Sequence, residues 1–108
     1  MSNPQAEFDH VANLMALRPG VSRSKMFGMS SVKVNGKAFA GLSGGTMTFK
    51  LGSEARQQAL AIEGAKLFEP MAGRAMKEWV AVPPEQSEHW LELAEAALKY
   101  VRSLAEKG

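Results

Sequence analysis

The sequence predicts one α+β domain over residues 1–108, built as two layers in which helices pack on an antiparallel sheet. Three observations predict this fold. Apolar residues recur at helical spacing near both ends of the chain, and short segments in the middle alternate apolar and polar residues. Two of these segments are joined by Asn35-Gly36, a pair that favours a tight hairpin turn. The predicted order of elements is α-β(3)-α-β(2)-α.

The first helix is predicted over residues 5–17. Glu7 and Asp9 lie in its early turns, where carboxylates are favourable because the amino-terminal end of a helix dipole is positive. Pro19-Gly20 ends the helix. Its buried stripe follows the spacing i, i+3, i+4, i+7 and consists of Phe8, Val11, Ala12 and Met15.

A meander of three strands follows. The first strand is predicted over residues 25–34, with a bend or bulge at Gly28, and it returns through Asn35-Gly36 to the second strand over residues 37–42. Glycines and a serine make the next turn, and the third strand covers residues 46–51. In that strand apolar side chains face the core and Thr46, Thr48 and Lys50 face away from it.

The second helix is predicted to begin with Ser53 as its N-cap and to run to about Glu63. Gly64 follows at the position where helices often end in a left-handed residue. A short fourth strand then covers residues 66–69.

The fifth strand, residues 73–82, is predicted to lie inside the sheet. Both of its sides carry apolar residues, with Val80 and Val82 on one side and Trp79 on the other, so the sheet is predicted to be covered at least partly on both sides. The last helix is predicted over residues 84–105, since proline is tolerated in a first helical turn. Its buried stripe consists of Trp90, Leu93, Ala94, Ala97, Val101 and Leu104.

Composition indicates a globular protein of a reducing compartment. Apolar residues make up 45% of the chain and charged residues 22%, and the absence of cysteine excludes disulfides and thiolate metal sites. The first residues lack the pattern of a secretory signal, and no apolar run reaches membrane-spanning length. The predicted location is therefore the cytoplasm, without membrane contact.

Positive charge is concentrated in one part of the chain, although the net charge is only +2. Residues 10–53 contain six basic residues and no acidic one. One interpretation is a nucleic-acid-binding module that uses Arg18, Arg23, Lys25, Lys33 and Lys37, with Arg74 and Lys77 as additions to this set. The other is a solvated face whose lysines keep strands from pairing edge to edge.

The strand pattern also suggests a surface for a partner protein. Phe27, Phe39 and Trp79 are predicted to share the sheet face that points away from the helices. An exposed apolar patch of this kind would bind another protein or a second copy of the chain. The alternative is that a helix or the amino-terminal segment covers that face.

Residue patterns typical of catalysis are missing, so the chain is predicted not to be an enzyme and to need no cofactor or metal. His10 and His89 are the two histidines, and neither belongs to a metal-ligand pattern. The glycine-rich residues 41–45 lie between strands and lack the lysine and hydroxyl of a phosphate-binding loop.

Several segments resemble the N-terminal domain of the TfoX/Sxy family. The resemblance covers about residues 5–105, and its most specific part is residues 73–83 followed by a helix with Trp90 and Leu93. The other segments are Lys25-Met26-Phe27-Gly28, residues 35–40, residues 47–51 and Phe68-Glu69-Pro70. It implies a fold similar to secretion chaperones and YjbR-type proteins, in agreement with the order predicted from the residues.

The resemblance also implies kinship with regulators of natural competence, which act with a cyclic-AMP receptor protein at promoters. Those regulators usually carry a second, helical domain, and this chain is expected to be a stand-alone form without it. The resulting expectation is a small regulatory protein that binds a protein partner, such as the transcription machinery, or forms a homodimer. Nucleic-acid binding through the basic region is the alternative.

Overall fold

The computed structural model describes residues 3–26, 29–71 and 74–107, and within them a six-stranded antiparallel sheet carries three α-helices on one side. The α+β fold class is therefore confirmed. In chain order the elements are α1 (Pro4–Met15), β1 (Val21–Met26), β2 (Met29–Val34), β3 (Lys37–Ser43), β4 (Thr46–Lys50), α2 (Ser53–Leu60), β5 (Lys66–Met71), β6 (Arg74–Val82), a 3₁₀ helix (Pro84–His89) and α3 (Trp90–Lys107).

The strands are ordered β1-β2-β3-β4-β6-β5 across the sheet. β6 pairs with β4 on one side, where Phe49 is opposite Val80, and with β5 on the other, where Leu67 is opposite Val80. The prediction that this strand lies inside the sheet is confirmed. Its position brings Val80 and Val82 over the middle of the core, where both are fully buried.

The sheet has one strand more than the sequence predicts. The segment 25–34 is not one strand, because β1 and β2 run antiparallel and pair Val21 with Val34 and Met26 with Met29. The bend expected at Gly28 lies outside the described residues. The alternation of apolar and polar residues does not indicate β1. Arg23 and Lys25 occupy positions on the helix side of this strand, where apolar residues usually stand.

The helix ends differ from the prediction where local chemistry outweighs the apolar stripe. The Asn3 side chain accepts a hydrogen bond from the Gln5 backbone N–H at 2.8 Å and so begins α1. Ser53 is the first residue of α2 rather than its N-cap, which is Gly52. α2 ends early, at Leu60, and Gly64 takes the expected left-handed backbone with φ +83° in the loop beyond it.

The last helix begins six residues later than predicted, because residues 84–89 form a 3₁₀ helix. Gln86 has φ −112° and ψ 26°, which interrupts helical geometry before Trp90. Trp90 then inserts fully into the core, and its indole N–H donates to the Val82 carbonyl oxygen at 3.2 Å. No helix within the described ranges is long and apolar enough to cross a membrane.

The core lies between the inner side of the sheet and the three helices. The predicted stripe of α1 is buried throughout, and α3 buries its own stripe against β2, β3 and β4. The largest fully buried side chains of this layer are Trp90, Phe8, Phe39, Phe49, Met15, Met47 and Leu51.

Candidate interaction surfaces

All three helices pack on the same side of the sheet, which leaves the other side of its central strands without a helical cover. We call this surface the outer face. Its members alternate along each strand with core residues, as Ser31 alternates with Val32 and Trp79 with Val80. They are Met29, Ser31, Lys33, Ala38, Gly41, Ser43, Thr46, Thr48, Lys50, Lys77, Trp79 and Ala81, with Lys66 and Phe68 of β5 at the margin.

Small residues line the middle of the outer face. Ser31, Gly41, Thr48 and Ala81 are successive cross-strand partners on β2, β3, β4 and β6. The Thr48 hydroxyl donates to the Gly41 carbonyl oxygen at 3.3 Å. The Ser31 hydroxyl is buried, and within the described structure it has no hydrogen-bond partner. Larger side chains, those of lysines and Trp79, stand along one side of this row and mostly small ones along the other, so the row forms a strip of low relief across the strands, which we call the trough.

Lysines border the trough. Lys33, Lys50, Lys66 and Lys77 come from four different strands, and Lys50 is the direct cross-strand partner of Trp79. β2, β3 and β4 contain no acidic residue. The one carboxylate of β6, on Glu78, lies on the helix side, where it accepts a hydrogen bond from Tyr100. The outer face of these strands is therefore positively charged.

The three residues predicted to form an apolar patch have different outcomes. Phe39 is fully buried in the core, so the prediction that it lies on the outer face is wrong. The cause is a β-bulge, because Lys33 pairs with Ala38 while Val32 pairs with Ala40, and the extra residue, Phe39, turns inward. Trp79 does lie on the outer face and is half-buried. Phe27 lies outside the described residues.

The five basic residues predicted to bind nucleic acid do not share one surface. Arg18 forms an ion pair with Glu95 of α3. Arg23 donates to the Asp9 carboxylate at 2.7 Å and lies over the Phe8 ring, with its guanidinium carbon 5.6 Å from the ring centre.

The three lysines of the predicted set also lie on different surfaces. Lys25 is on the helix side of the edge strand β1, and Lys37 is opposite the buried Val34 beside the Asn35-Gly36 turn. Lys33 alone of the five belongs to the outer face, where it joins Lys50, Lys66 and Lys77. Strand alternation marks each of these lysines as outward, but only the pairing of the strands places them together.

The helical side of the molecule has a different character. A groove of about 530 Å³ lies beside α3 and the α1–β1 loop, and it is lined by Arg18, Glu95, Ala96, Leu98, Lys99, Arg102 and Ser103. A second groove of about 450 Å³ lies between α3 and the start of α2. Leu17, next to Arg18, is 80% exposed, and Leu14, at the end of α1, is 38% exposed. We call Leu14, Leu17 and the first groove the helical-side surface.

Tyr100 ties α3 to the sheet at the second groove. Its hydroxyl donates a hydrogen bond to the Glu78 carboxylate, and this bond, followed by partial burial, raises the pKa of Tyr100. Gly52 packs directly on the ring, since a Cβ atom there would lie 2.9 Å from Tyr100 Cδ1. Among the described residues, no three histidine, aspartate or glutamate side chains come together as metal ligands would.

Comparison with known proteins gives one match. The family model of the TfoX N-terminal domain matches residues 13–103, which is most of the chain and includes every strand of the sheet. No curated protein and no solved structure matches the chain. The resemblance seen in the sequence is thereby confirmed.

Proposed function

Because this chain belongs to the TfoX N-terminal domain family, we propose that it is a non-enzymatic regulatory module that works in the cytoplasm by binding a protein partner. The family supports a domain like that of the competence regulators. Those regulators act with a cyclic-AMP receptor protein at promoters, so the transcription machinery supplies the first partners to test.

The helical-side surface is the contact site of this proposal. Its supporting observation is the exposure of Leu17, an apolar residue that directly precedes Arg18, one of the charged residues lining the groove. Leu14 lies three residues earlier and extends the apolar area along the end of α1. Apolar contacts surrounded by a polar rim are the usual organisation of a protein interface.

Contacts between the α1–β1 loop and α3 hold the two sides of the groove together. The ion pair between Arg18 and Glu95 joins the α1–β1 loop to α3, and Arg102 donates to the Pro19 carbonyl oxygen in the same loop. The position of Leu17 relative to α3 is therefore fixed by contacts at the two residues that follow it, Arg18 and Pro19. A preformed surface loses less conformational entropy when it binds.

Binding to the purified cyclic-AMP receptor protein and to RNA polymerase tests this proposal. We expect the wild-type chain to bind one of them and Leu17→Asp to weaken binding at least tenfold, because a buried unpaired carboxylate is strongly unfavourable. Leu60→Asp is the matched control, since Leu60 of α2 is 38% exposed and lies outside the groove lining.

Sedimentation at several concentrations tests the homodimer form of the same proposal. A second copy would give a species whose mass rises with concentration in the wild type and in Leu60→Asp but not in Leu17→Asp. A strictly monomeric chain that binds neither transcription protein would overturn the proposed function.

A further inference from the structure

The outer face carries an inference that goes beyond the proposed function. We propose that it binds single-stranded nucleic acid, laid across the strands along the trough, with Trp79 stacking on a base and the surrounding lysines contacting phosphates. The surface differs both from the helical-side surface and from the basic set that the sequence alone suggests.

Charge is the first argument. Lys33, Lys50, Lys66 and Lys77 stand on four strands of one face, and none of them takes part in a salt bridge within the described residues. The chain as a whole has a net charge of only +2, so this concentration of cations reflects their placement rather than the composition. A surface of this sign attracts a polyanion.

Shape is the second argument. The trough floor has no side chain larger than threonine, and neighbouring strands lie about 4.8 Å apart, so the floor from β2 to β6 extends over roughly 14 Å. Duplex DNA is read by a helix or ribbon that enters a groove. The described outer face consists of the sheet itself, which can instead support the exposed bases of a single strand.

Trp79 supplies the aromatic platform. Its ring is half-buried among its neighbours, and its cross-strand partner is Lys50, with Lys77 two residues earlier on the same side of β6. This arrangement places cations on either side of a flat ring. Stacking on such a ring tolerates any base, while the lysines follow the phosphates, and together they favour binding without strong sequence preference.

The floor of the trough also contains a polar atom that lacks a hydrogen-bond partner within the described structure. Ser31 is 7% exposed, and its hydroxyl oxygen lacks a hydrogen-bond partner in the described structure. A buried hydroxyl without a partner is uncommon in native proteins. Because this oxygen has almost no accessible surface, a ligand on the trough would form the missing hydrogen bond only after neighbouring side chains move aside.

Tryptophan fluorescence gives a direct test, because the chain has two tryptophans and Trp90 is fully buried on the opposite side of the sheet. The probes are single-stranded DNA and RNA of mixed sequence, about 12 nucleotides long. We expect them to quench Trp79 and to bind less tightly as salt rises, with a slope of about −0.7 per phosphate contact. The same sequences as duplexes should bind more weakly.

Matched variants locate the surface. Replacing Lys33, Lys50 and Lys77 by glutamine together should lower affinity roughly tenfold or more and flatten the salt dependence. The control triple replaces Lys25, Lys37 and Lys99, which removes the same charge from the other side of the molecule and should leave most of the affinity. Trp79→Ala should weaken binding about tenfold, and Trp79→Phe should retain part of it.

Four results would overturn the proposal. They are no binding at low salt, equal losses in the two lysine triples, duplex binding as tight as single-strand binding, and displacement by poly-glutamate at equal charge. The last result would indicate an acidic protein as the occupant. Leu17→Asp should leave this binding unchanged, so failure here and failure of the proposed function are separate outcomes.

Discussion

Basic side chains on the helical side of this molecule form salt bridges, whereas those on the outer face form none within the described residues. On the helical side, Arg18 is paired with Glu95 and Arg23 with Asp9, so these guanidinium groups help to hold α1 and its loop in place. On the outer face, the lysines stand beside hydroxyl groups and Trp79, and no salt bridge joins them to a carboxylate in the described part of the chain. Cations of the first kind are structural, and those of the second kind are available to a ligand.

The aromatic residues also differ between the two sides of the sheet. Phe8, Phe39 and Phe49 are fully buried between the helices and the sheet. Trp79 and, at the margin, Phe68 lie on the outer face, and both are half-buried. A face on which two half-buried rings stand among several lysines is a poor apolar docking patch and a better match to a polyanion. The exposed leucines of the helical side fit a protein partner better.

The largest expected effect tests this division of the aromatic residues. Phe39→Ala should lower the free energy of unfolding by about 3–5 kcal/mol, because it removes a fully buried ring and leaves a cavity. Trp79→Ala should lower it by only roughly 1–2 kcal/mol, because the ring is half-buried. Urea denaturation of the two variants gives the comparison, and a larger loss for Trp79→Ala would show that the faces are misassigned.

The same pair of residues shows what the sequence could predict. The Asn35-Gly36 turn, the helical stripes and the interior position of β6 all follow from local patterns. Phe39 does not, because strand alternation is correct only while no bulge interrupts it, and one extra residue moves a side chain to the other face. The bulge depends on how β2 and β3 pair, and no single segment encodes that register.

Long-range pairing also decides the candidate sites. Lys33, Lys50, Lys66 and Lys77 are separated along the chain, and they meet only because β4 pairs with β6 rather than with β5. The sequence gives no sign that Arg18 and Arg23 form salt bridges. In the folded chain they pair with Glu95 and Asp9, respectively. The sequence therefore predicts the basic character of the region but not which cations remain on an open surface.

A second prediction concerns the contact between α2 and α3 on the helical side. Gly52→Ala should destabilise the fold by about 1–3 kcal/mol, because the added Cβ would lie 2.9 Å from the Tyr100 ring. The backbone itself tolerates alanine, since φ is −72°. Thermal unfolding of Gly52→Ala, Tyr100→Ala and the double variant tests this reason, because the cost of the Cβ should largely disappear once the ring is absent.

A third prediction uses the link between Tyr100 and Glu78. The pKa of Tyr100 is raised in the folded state, so the stabilisation is complete below the ordinary value of 10.0 and is lost as pH rises through the folded pKa. Tyr100→Phe should cost about 1 kcal/mol at neutral pH and should remove part of the alkaline loss of stability. Urea midpoints between neutral pH and pH above that value measure both effects, and an unchanged alkaline slope would contradict the link.

The smallest effect is expected at the paired arginine on the helical side. Hydrogen bonds from Arg23 and then Gln5 lower the pKa of Asp9, so its contribution to stability is present above the ordinary value of 3.8 and is lost as pH falls through the folded pKa. Asp9→Asn should therefore weaken the fold slightly at neutral pH and reduce the loss on acidification. Because the pair is solvent-exposed, added salt should shrink the difference from wild type.

The same Asp9→Asn variant separates the two sides of the molecule. It frees Arg23 from its carboxylate but leaves the outer face unchanged, so affinity for a single-stranded oligonucleotide should rise little compared with the loss in the outer-face lysine triple. NMR titration of the Asp9 carboxyl in the wild type measures the link to Arg23, and fluorescence titration of Trp79 in the wild type and in Asp9→Asn measures the affinity. A large gain in affinity would mean that the ligand contacts β1 from the helical side, and that the structural and available cations are not divided by the sheet.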